Sequence, residues 1–77
     1  MNNTYKNVIS LIKQTERTWN KVKDNLNKIT LVDCRSGLSY GLCYNNVFLG
    51  LFLKKEYVDL NELKDTPFTY DKSRLIG

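Results

Sequence analysis

Mostly apolar residues recur at alternating intervals of three and four over the first third of the chain. An α-helix has 3.6 residues per turn, so this spacing places them on one stripe of a single helix. Thr4 or Asn3 can cap the start of such a helix, and Asn25 and Asn27 are typical of its end. We therefore predict one long amphipathic helix over residues 4–26. The apolar stripe, continued into the next segment, comprises Tyr5, Val8, Ile12, Thr15, Trp19, Val22, Leu26 and Ile29.

Beyond the helix, the apolar period changes to two. Residues 29–34, 38–44 and 47–53 alternate as β-strands do. The intervening dipeptides, Ser-Gly at 36–37 and Asn-Asn at 45–46, suit two-residue hairpin turns with positive φ. We predict that the three strands form an antiparallel meander with the helix packed on one face, which is an α+β fold.

The turn at 45–46 also predicts which side chains of the second and third strands share a face. In a regular hairpin centred there, Gly41 lies opposite Gly50. The face toward the helix then forms the core, with Leu38, Tyr40, Leu42, Tyr44, Val47, Leu49, Leu51 and Leu53. The opposite face carries Ser39, Gly41, Cys43, Phe48, Gly50 and Phe52. We interpret this second face as a shallow hollow at the glycine pair, walled by the two phenylalanines.

The C-terminal third begins with the sequence Asp-Leu-Asn-Glu at 59–62, which has the form of a helix capping box. We predict a short helix over residues 59–65, because the proline at 67 disfavours helical geometry at the residue before it. The tail over 66–77 lacks a clear period and is predicted to be irregular, with 68–71 as a candidate additional edge strand. All 77 residues are expected to form one domain, since the chain is too short for two cores.

The composition is that of a folded protein and also suggests a source. Hydrophobic residues make up 42% of the chain and none of them is alanine, so bulky side chains supply nearly all the apolar volume. A lack of alanine together with abundant Asn and Lys is typical of an AT-rich genome, because alanine codons are GC-rich. Low-GC bacteria and their phages have such genomes. We therefore expect a viral protein, encoded by a phage or another mobile element.

The sequence gives no support for a membrane protein. The most apolar window, 47–53, is far below the roughly 20 residues that span a bilayer, and no apolar run follows a basic start. We expect a cytoplasmic protein with no membrane partner.

Cys34 and Cys43 form no CxxC motif, and the chain has no histidine. We expect no cofactor and no metal, and we favour reduced structural thiols over a disulfide or a redox or metal role.

Residues suited to acid–base catalysis are scarce, since histidine is absent. Asp33 lies opposite Tyr40 in a hairpin that turns at 36–37, and a buried Asp–Tyr pair is a candidate perturbed site. A hydrogen-bonding Asp close to a turn is the commoner, structural arrangement. Asp59 and Glu62 are accounted for by helix capping. Because the chain also has no GxSxG nucleophile motif and no phosphate-binding glycine loop, we expect no catalytic site and no enzyme.

The basic character is concentrated in the N-terminal segment, residues 1–28, where six Lys and Arg residues accompany two acids. Five of these cations fall on the helix side opposite the apolar stripe and form a basic ridge: Lys6, Lys13, Arg17, Lys21 and Lys28. Such a ridge could follow a phosphate backbone and release its counterions. The alternative is an ordinary solvated helix face. The excess of Lys over Arg favours that alternative, as does the lack of a preceding short helix that would complete a helix-turn-helix.

The two phenylalanines make the second sheet face costly to leave in water. One candidate cover is the chain's own C-terminal segment, through Leu60, Leu63, Phe68 or Tyr70. The other is a partner, either a different protein or a second copy of the chain in a homodimer. The leading hypothesis is a small binding protein that modulates or inhibits a host protein, such as a nuclease or another defence component. Its contact residues would be Phe48, Phe52, Gly41, Gly50 and Cys43. The alternative hypothesis is a nucleic-acid-binding accessory protein that uses the basic ridge.

Overall fold

The computed structural model describes residues 2–77, in which helices cover one face of a four-stranded sheet. The helices are α1 (Asn3–Lys13), α2 (Glu16–Val22) and α3 (Leu60–Leu63). The strands are β1 (Ile29–Cys34), β2 (Ser39–Tyr44), β3 (Val47–Lys54) and β4 (Thr69–Ile76). Short 3-10 turns at Leu26–Lys28 and Lys55–Tyr57 precede β1 and follow β3. The predicted α+β class is confirmed.

The single helix predicted over 4–26 is wrong, because the chain leaves helical geometry at Thr15. This residue is extended, with φ −121° and ψ 114°, and it is the exposed polar member of the apolar stripe. A straight helix over 4–26 would be about 35 Å long at 1.5 Å per residue, whereas the longest extent of the Cα positions is 28 Å. The break lets Ile12 and Val22, on either side of it, both reach full burial. The cap of α1 is Asn2, whose side chain accepts from the Tyr5 amide at 2.8 Å, rather than Asn3 or Thr4.

The strands lie in the order β3-β2-β1-β4. The first three form the predicted antiparallel meander, but the sheet as a whole is mixed, because β4 pairs with β1 in parallel. The tail predicted as irregular over 66–77 therefore contains a strand of eight residues, of which the candidate edge strand at 68–71 covered only the beginning. Three residues of β4 between Asp71 and Leu75 have no partner on β1. This bulge interrupts the alternation by which a strand is predicted.

The hairpin of β2 and β3 has the predicted turn but a different register. Asn45 and Asn46 have φ values of 51° and 68°, as a two-residue hairpin turn requires. Beyond the first two cross-strand pairs, two residues of β3 at 49–50 are extra, so that Gly41 lies opposite Phe52 rather than Gly50. An insertion of two leaves the alternation of side chains between faces unchanged. The predicted division of Phe48, Phe52 and Gly41 from the core residues therefore holds, although the glycine pair does not.

The core lies between the helices and the sheet. It consists of Val8, Ile12, Val22, Ile29, Leu31, Tyr40, Leu42, Leu53, Leu63 and Phe68. Two predicted core residues, Leu38 and Val47, are instead 73% and 59% exposed. Leu38 lies in the four-residue loop before β2, and Val47 follows the turn at 45–46, so neither is covered by a helix. Within residues 2–77, no helix has the length and apolar character needed to cross a bilayer.

The short helix α3 is present but ends at Leu63 rather than at 65. Asp59 caps it as predicted, since its carboxylate accepts from the Asn61 amide at 2.8 Å. Glu62 does not complete a capping box, because its Oε1 accepts from the backbone amide and the hydroxyl of Thr4 at 3.1 and 2.8 Å. The Thr4 hydroxyl in turn accepts from the Asp59 amide at 2.8 Å. These bonds fasten α3 to the first turn of α1.

Candidate functional site

The sheet face turned away from the helices, here called the outer face, has a buried apolar floor. Directly paired residues on neighbouring strands point to the same side of a sheet, and the pairs Thr30–Cys43 and Val32–Gly41 place these four residues on the outer face. Val32 and Cys43 are fully buried there and Gly41 is buried too, although no helix lies above them. Other side chains on the same face must therefore cover them.

Phe48 and Phe52 supply most of that cover from β3, where Phe48 pairs with Cys43 and Phe52 with Gly41. Four residues apart on a regular strand, their Cα atoms would be about 13 Å from each other. The bulge at 49–50 instead places them opposite residues only two positions apart on β2. Their ring centroids are 5.3 Å apart at an interplanar angle of 59°. The positive φ of Gly50, 77°, belongs to this bulge, so the backbone of β3 creates the aromatic pair.

The hollow predicted at Gly41 is filled. A Cβ atom built on Gly41 would overlap Cδ1 of Ile76, and it would lie 3.1 Å from Cγ1 of Ile76 and 3.2 Å from Cε1 of Phe48. The residue that covers the floor from the C-terminal segment is therefore Ile76 of β4. The prediction that Leu60, Leu63, Phe68 or Tyr70 provides the cover is wrong. Leu63, Phe68 and Tyr70 pack in or against the core on the helix side, and Leu60, on α3, is 41% exposed.

The two phenylalanines that cover the floor of the outer face are themselves partly exposed to solvent. Phe48 is 39% and Phe52 is 46% exposed. Of the predicted contact residues, these two alone present a large apolar surface. Cys43 and Gly41 lie in the floor beneath them, and Gly50 is exposed within the bulge with nothing near its Cβ position. The structure thus brings Phe48, Phe52, Gly41 and Cys43 together and assigns Gly50 a backbone role.

Charged side chains border the aromatic pair at both ends. Lys54 pairs with Ser39, follows the inward-facing Leu53 and is exposed, so it lies on the outer face beyond Phe52. At the other end, Nη2 of Arg74 lies 3.4 Å from the carbonyl oxygen of Asn46, in the turn next to β3. Since Arg74 belongs to β4, its side chain must extend across the sheet to make this contact. Sequence reasoning missed Lys54, Ile76 and Arg74. Alternation along β3 could have found Lys54, two residues beyond Phe52 on the same face, whereas Ile76 and Arg74 reach this face only through the pairing of β4.

The acid on this face, Asp71, already has partners. Its Oδ1 accepts from the Ser73 hydroxyl at 2.6 Å and from the Ser73 amide at 3.0 Å. These hydrogen bonds lower the pKa of Asp71 below its ordinary value, with a smaller contribution from the charge of Arg74. The carboxylate is therefore charged at neutral pH, and it is oriented toward its own bulge.

The predicted position of Asp33 opposite Tyr40 is confirmed. Tyr70 and Lys55 also contact this pair and form a cluster with it. The Tyr70 hydroxyl donates to both carboxylate oxygens of Asp33 at 2.9 Å, and its ring meets Tyr40 edge-on at 5.4 Å. Nζ of Lys55 lies 3.8 Å from Asp33 and 5.1 Å from the centre of the Tyr40 ring. Burial and the Asp33 carboxylate raise the pKa of Tyr70 to about 12. This cluster fastens β4 to β1, and its polar groups are engaged with one another.

The two cysteines are both free. Cys43 is fully buried and pairs with Thr30, four residues along β1 from Cys34, so the strands hold the two thiols apart. The Ser36 hydroxyl lies 3.5 Å from Sγ of Cys34, and hydrogen bonds from Ser36 lower the pKa of this thiol. In the part of the chain that the structure describes, no three His, Cys, Asp or Glu side chains are grouped to hold a metal ion.

The basic ridge is divided among three elements by the break at Thr15. Its members are Lys6 and Lys13 on α1, Arg17 and Lys21 on α2, and Lys28 in the following turn, and all five are exposed. Nζ of Lys13 lies 4.7 Å above the ring of Trp19, across the break. Within residues 2–77 the one ion pair joins Lys55 to Asp33, so no acid lies within 4.0 Å of a ridge cation. The ridge is not the single continuous row that one helix would present.

The molecule thus offers two surfaces of different chemistry on opposite sides of the sheet. The outer face is aromatic with a cation at each end, and the helical side carries the basic ridge. Comparisons with protein-family models, with curated proteins and with solved structures find no match to the chain.

Proposed function

We propose that the chain is a non-enzymatic binding protein that contacts another protein through the outer face. The observation that carries this proposal is the exposure of Phe48 and Phe52 at 39% and 46% above a floor that is itself fully buried. Exposed apolar area costs about 25 cal/mol per Å² relative to burial. Aromatic side chains clustered on a packed support are also typical of the centre of protein interfaces.

The sheet edges are less suited to a partner than the face. Both edge strands are interrupted by bulges, at 49–50 in β3 and at 72–74 in β4. A bulge breaks the regular row of backbone donors and acceptors that an added strand would need. A partner would therefore find continuous complementary surface on the outer face rather than along an edge.

The partner we propose is a host protein, such as a nuclease or another defence component, which the chain modulates or inhibits. The small size of the chain and its composition support this setting, because short proteins rich in Asn and Lys and without alanine are common products of AT-rich phages and mobile elements. The exposed Phe48 and Phe52 side chains support a protein as the partner, because aromatic residues are enriched at protein interfaces.

Capture of host proteins on the wild-type chain and on two matched variants tests the proposal. Phe52→Ser removes one exposed apolar side chain from the outer face, and Leu60→Ser removes one of similar exposure, 41%, from the helical side. A protein retained by the wild type and by Leu60→Ser but lost by folded Phe52→Ser supports the proposal. Equal retention by all three chains would contradict it, as would loss of folding in Phe52→Ser, which would make the face ordinary core.

Nucleic-acid binding is the second candidate, and the unpaired, exposed cations of the basic ridge favour it. Each phosphate neutralised by a cation releases counterions, so such binding weakens steeply with salt. The test is a mobility shift with DNA and RNA at low and moderate salt, using the wild type and a variant with Lys13, Arg17 and Lys21 changed to Glu. Strong salt-dependent binding that the triple change abolishes would establish this function in place of the first.

A further inference from the structure

The charges around the aromatic pair restrict the kind of partner. Lys54 lies beyond Phe52 at one end of the pair, and Arg74 reaches the turn beside Phe48 at the other. The acid on this face, Asp71, is directed to Ser73. Asp71 keeps its negative charge and offsets part of the charge of Arg74. With two cations against one acid, the outer face presents an apolar centre, a cation at each end and a net positive charge.

Both cations can accept a ligand. Lys54 has no acid within 4.0 Å, since the ion pair found within residues 2–77 belongs to Lys55. Arg74 uses one contact, of 3.4 Å, to the Asn46 carbonyl. A guanidinium carries five N–H donors, so several remain, and their planar arrangement matches the two oxygens of a carboxylate.

A second copy of the chain fits this surface poorly. Two outer faces in contact would bring two Lys54 and two Arg74 side chains together against only two Asp71 carboxylates, so like charges predominate. Each chain also carries a net charge of +4, which adds repulsion at longer range. Like charges that are forced together across an interface oppose association.

A nucleic acid fits the aromatic pair poorly. Single-stranded binders offer separate aromatic faces on which successive bases stack. Phe48 and Phe52 instead pack against each other, with centroids 5.3 Å apart and rings inclined at 59°. A base cannot enter between them, whereas an aliphatic or aromatic side chain can rest on their outward surfaces.

We infer that the outer face binds an acidic polypeptide segment. Its apolar side chain packs on Phe48 and Phe52, and its carboxylates meet Lys54 at one end and Arg74 at the other. This inference rests on the proposed function and names the chemistry of the partner. The bound segment must reach from Lys54 to the turn at 45–46. This distance equals the length of β2, whose six residues cover about 20 Å. A segment of about six extended residues, with an apolar centre and acidic ends, has the matching length.

Selection from a random-peptide display library tests the inference without knowledge of the natural partner. The wild-type chain is the target, and peptides that also bind Phe52→Ser are removed. We expect the surviving peptides to share an apolar centre flanked by Asp or Glu. Survivors with neutral or basic flanks would overturn the inference while leaving the outer face as the binding surface. If no peptide distinguishes the wild type from Phe52→Ser, both the inference and the proposed function fail.

Affinity measurements on a selected peptide locate the charges. We expect Lys54→Glu and Arg74→Glu each to weaken binding by roughly fivefold or more, with a loss of affinity as salt increases. Lys64→Glu makes the same charge change at the end of α3, away from the outer face, and should leave the affinity within about twofold. Equal effects of all three changes would reduce the role of Lys54 and Arg74 to net charge and overturn the inference. An oligonucleotide that binds the wild type but not Phe52→Ser would overturn it in favour of nucleic acid.

Discussion

At Gly41 the outer face has no room for a side chain. The space above it is taken by Ile76 from β4 and Phe48 from β3, which come from opposite edges of the sheet and meet over the same residue. Gly41 thereby allows two distant strands to close the floor formed by Val32 and Cys43. The role of this glycine is steric, because its position is set by what lies above it rather than by a positive φ.

We predict that Gly41→Val destabilises the fold by about 1–3 kcal/mol, the usual cost of overpacking. In the double variant Gly41→Val/Ile76→Ala, the removed atoms make room for the added ones, and part of the loss should be recovered. Urea unfolding of the wild type, both single variants and the double variant measures this coupling. Strictly additive losses would show that Ile76 does not occupy the space above Gly41.

Gly50 is required for its backbone conformation. Its φ is 77° and nothing lies within 4 Å of the position that a Cβ would take. Gly50→Ala should therefore cost about 1–2 kcal/mol of stability through backbone strain alone. Gly37, with φ 74° and equally open surroundings, is the matched control in a loop far from the bulge. We expect both alanine variants to lose similar stability in urea unfolding. Only Gly50→Ala should lose affinity for a peptide or protein that binds the outer face. An unstrained Gly50→Ala would contradict the bulge geometry.

At the scale of elements, the position of β4 determines the character of the fold. It joins the sheet as a parallel neighbour of β1 and places Ile76 on the outer face and Tyr70 on the helix side. The Tyr70 hydroxyl bound to both oxygens of Asp33 fixes the first half of this strand, before the bulge at 72–74. The attachment of β4 therefore depends on a protonated phenol.

That dependence predicts a loss of stability at high pH. The pKa of Tyr70 is raised from 10.0 to about 12 in the folded protein, so folding favours the protonated form. Its contribution is complete below about pH 10 and is lost as the pH rises from about 10 to about 12. Urea unfolding at a series of pH values should show a steeper decline for the wild type than for Tyr70→Phe, which lacks the ionisable hydroxyl. Parallel declines would mean that Asp33 does not hold the Tyr70 proton.

The sequence patterns predicted individual elements better than their arrangement. The period of two and the Asn45–Asn46 turn correctly predicted β2, β3 and the two faces, because alternation survives an insertion of two residues. The break at Thr15 could not be read from the stripe, because the three-four spacing continues through it; a straight helix over 4–26 is longer than the longest extent of the folded chain, 28 Å. The strand β4 was missed because its bulge removes the period, and its parallel partner β1 is nearly 40 residues away in the sequence.

For the candidate site, the sequence located the aromatic residues but not their surroundings. Phe48, Phe52, Gly41 and Cys43 do share a face, as the hairpin predicted. Their contact with Ile76 and the flanking Arg74 depends on β4, so it could not be predicted without the sheet order. The predicted basic ridge kept its exposure and lost its continuity when the helix divided.

At the scale of the whole molecule, the sheet separates two surfaces. On the helical side the sheet packs into a core with residues such as Phe68, which is 3% exposed and stacks on Tyr5. On the outer face a thinner layer covers the floor and leaves Phe48 and Phe52 partly exposed. The difference in burial predicts different consequences for similar substitutions on the two sides.

We predict that Phe68→Ala costs about 3–5 kcal/mol, as expected for a buried aromatic side chain. Phe52→Ser should cost about 1 kcal/mol, because nearly half of this side chain is already in water. Thermal or urea unfolding of the two variants measures the contrast. Comparable losses would place Phe52 in the core and remove the reason to regard the outer face as a contact surface.

The most direct test of the central claim is calorimetric titration. The protein captured through the outer face is titrated against the wild type and against Phe52→Ser, and the stability of these two chains is measured in parallel. We predict at least a tenfold loss of affinity in Phe52→Ser, about 1.4 kcal/mol, in a variant that remains folded. Leu60→Ser should bind as the wild type does. Unchanged affinity in folded Phe52→Ser would contradict the assignment of the outer face as the binding surface.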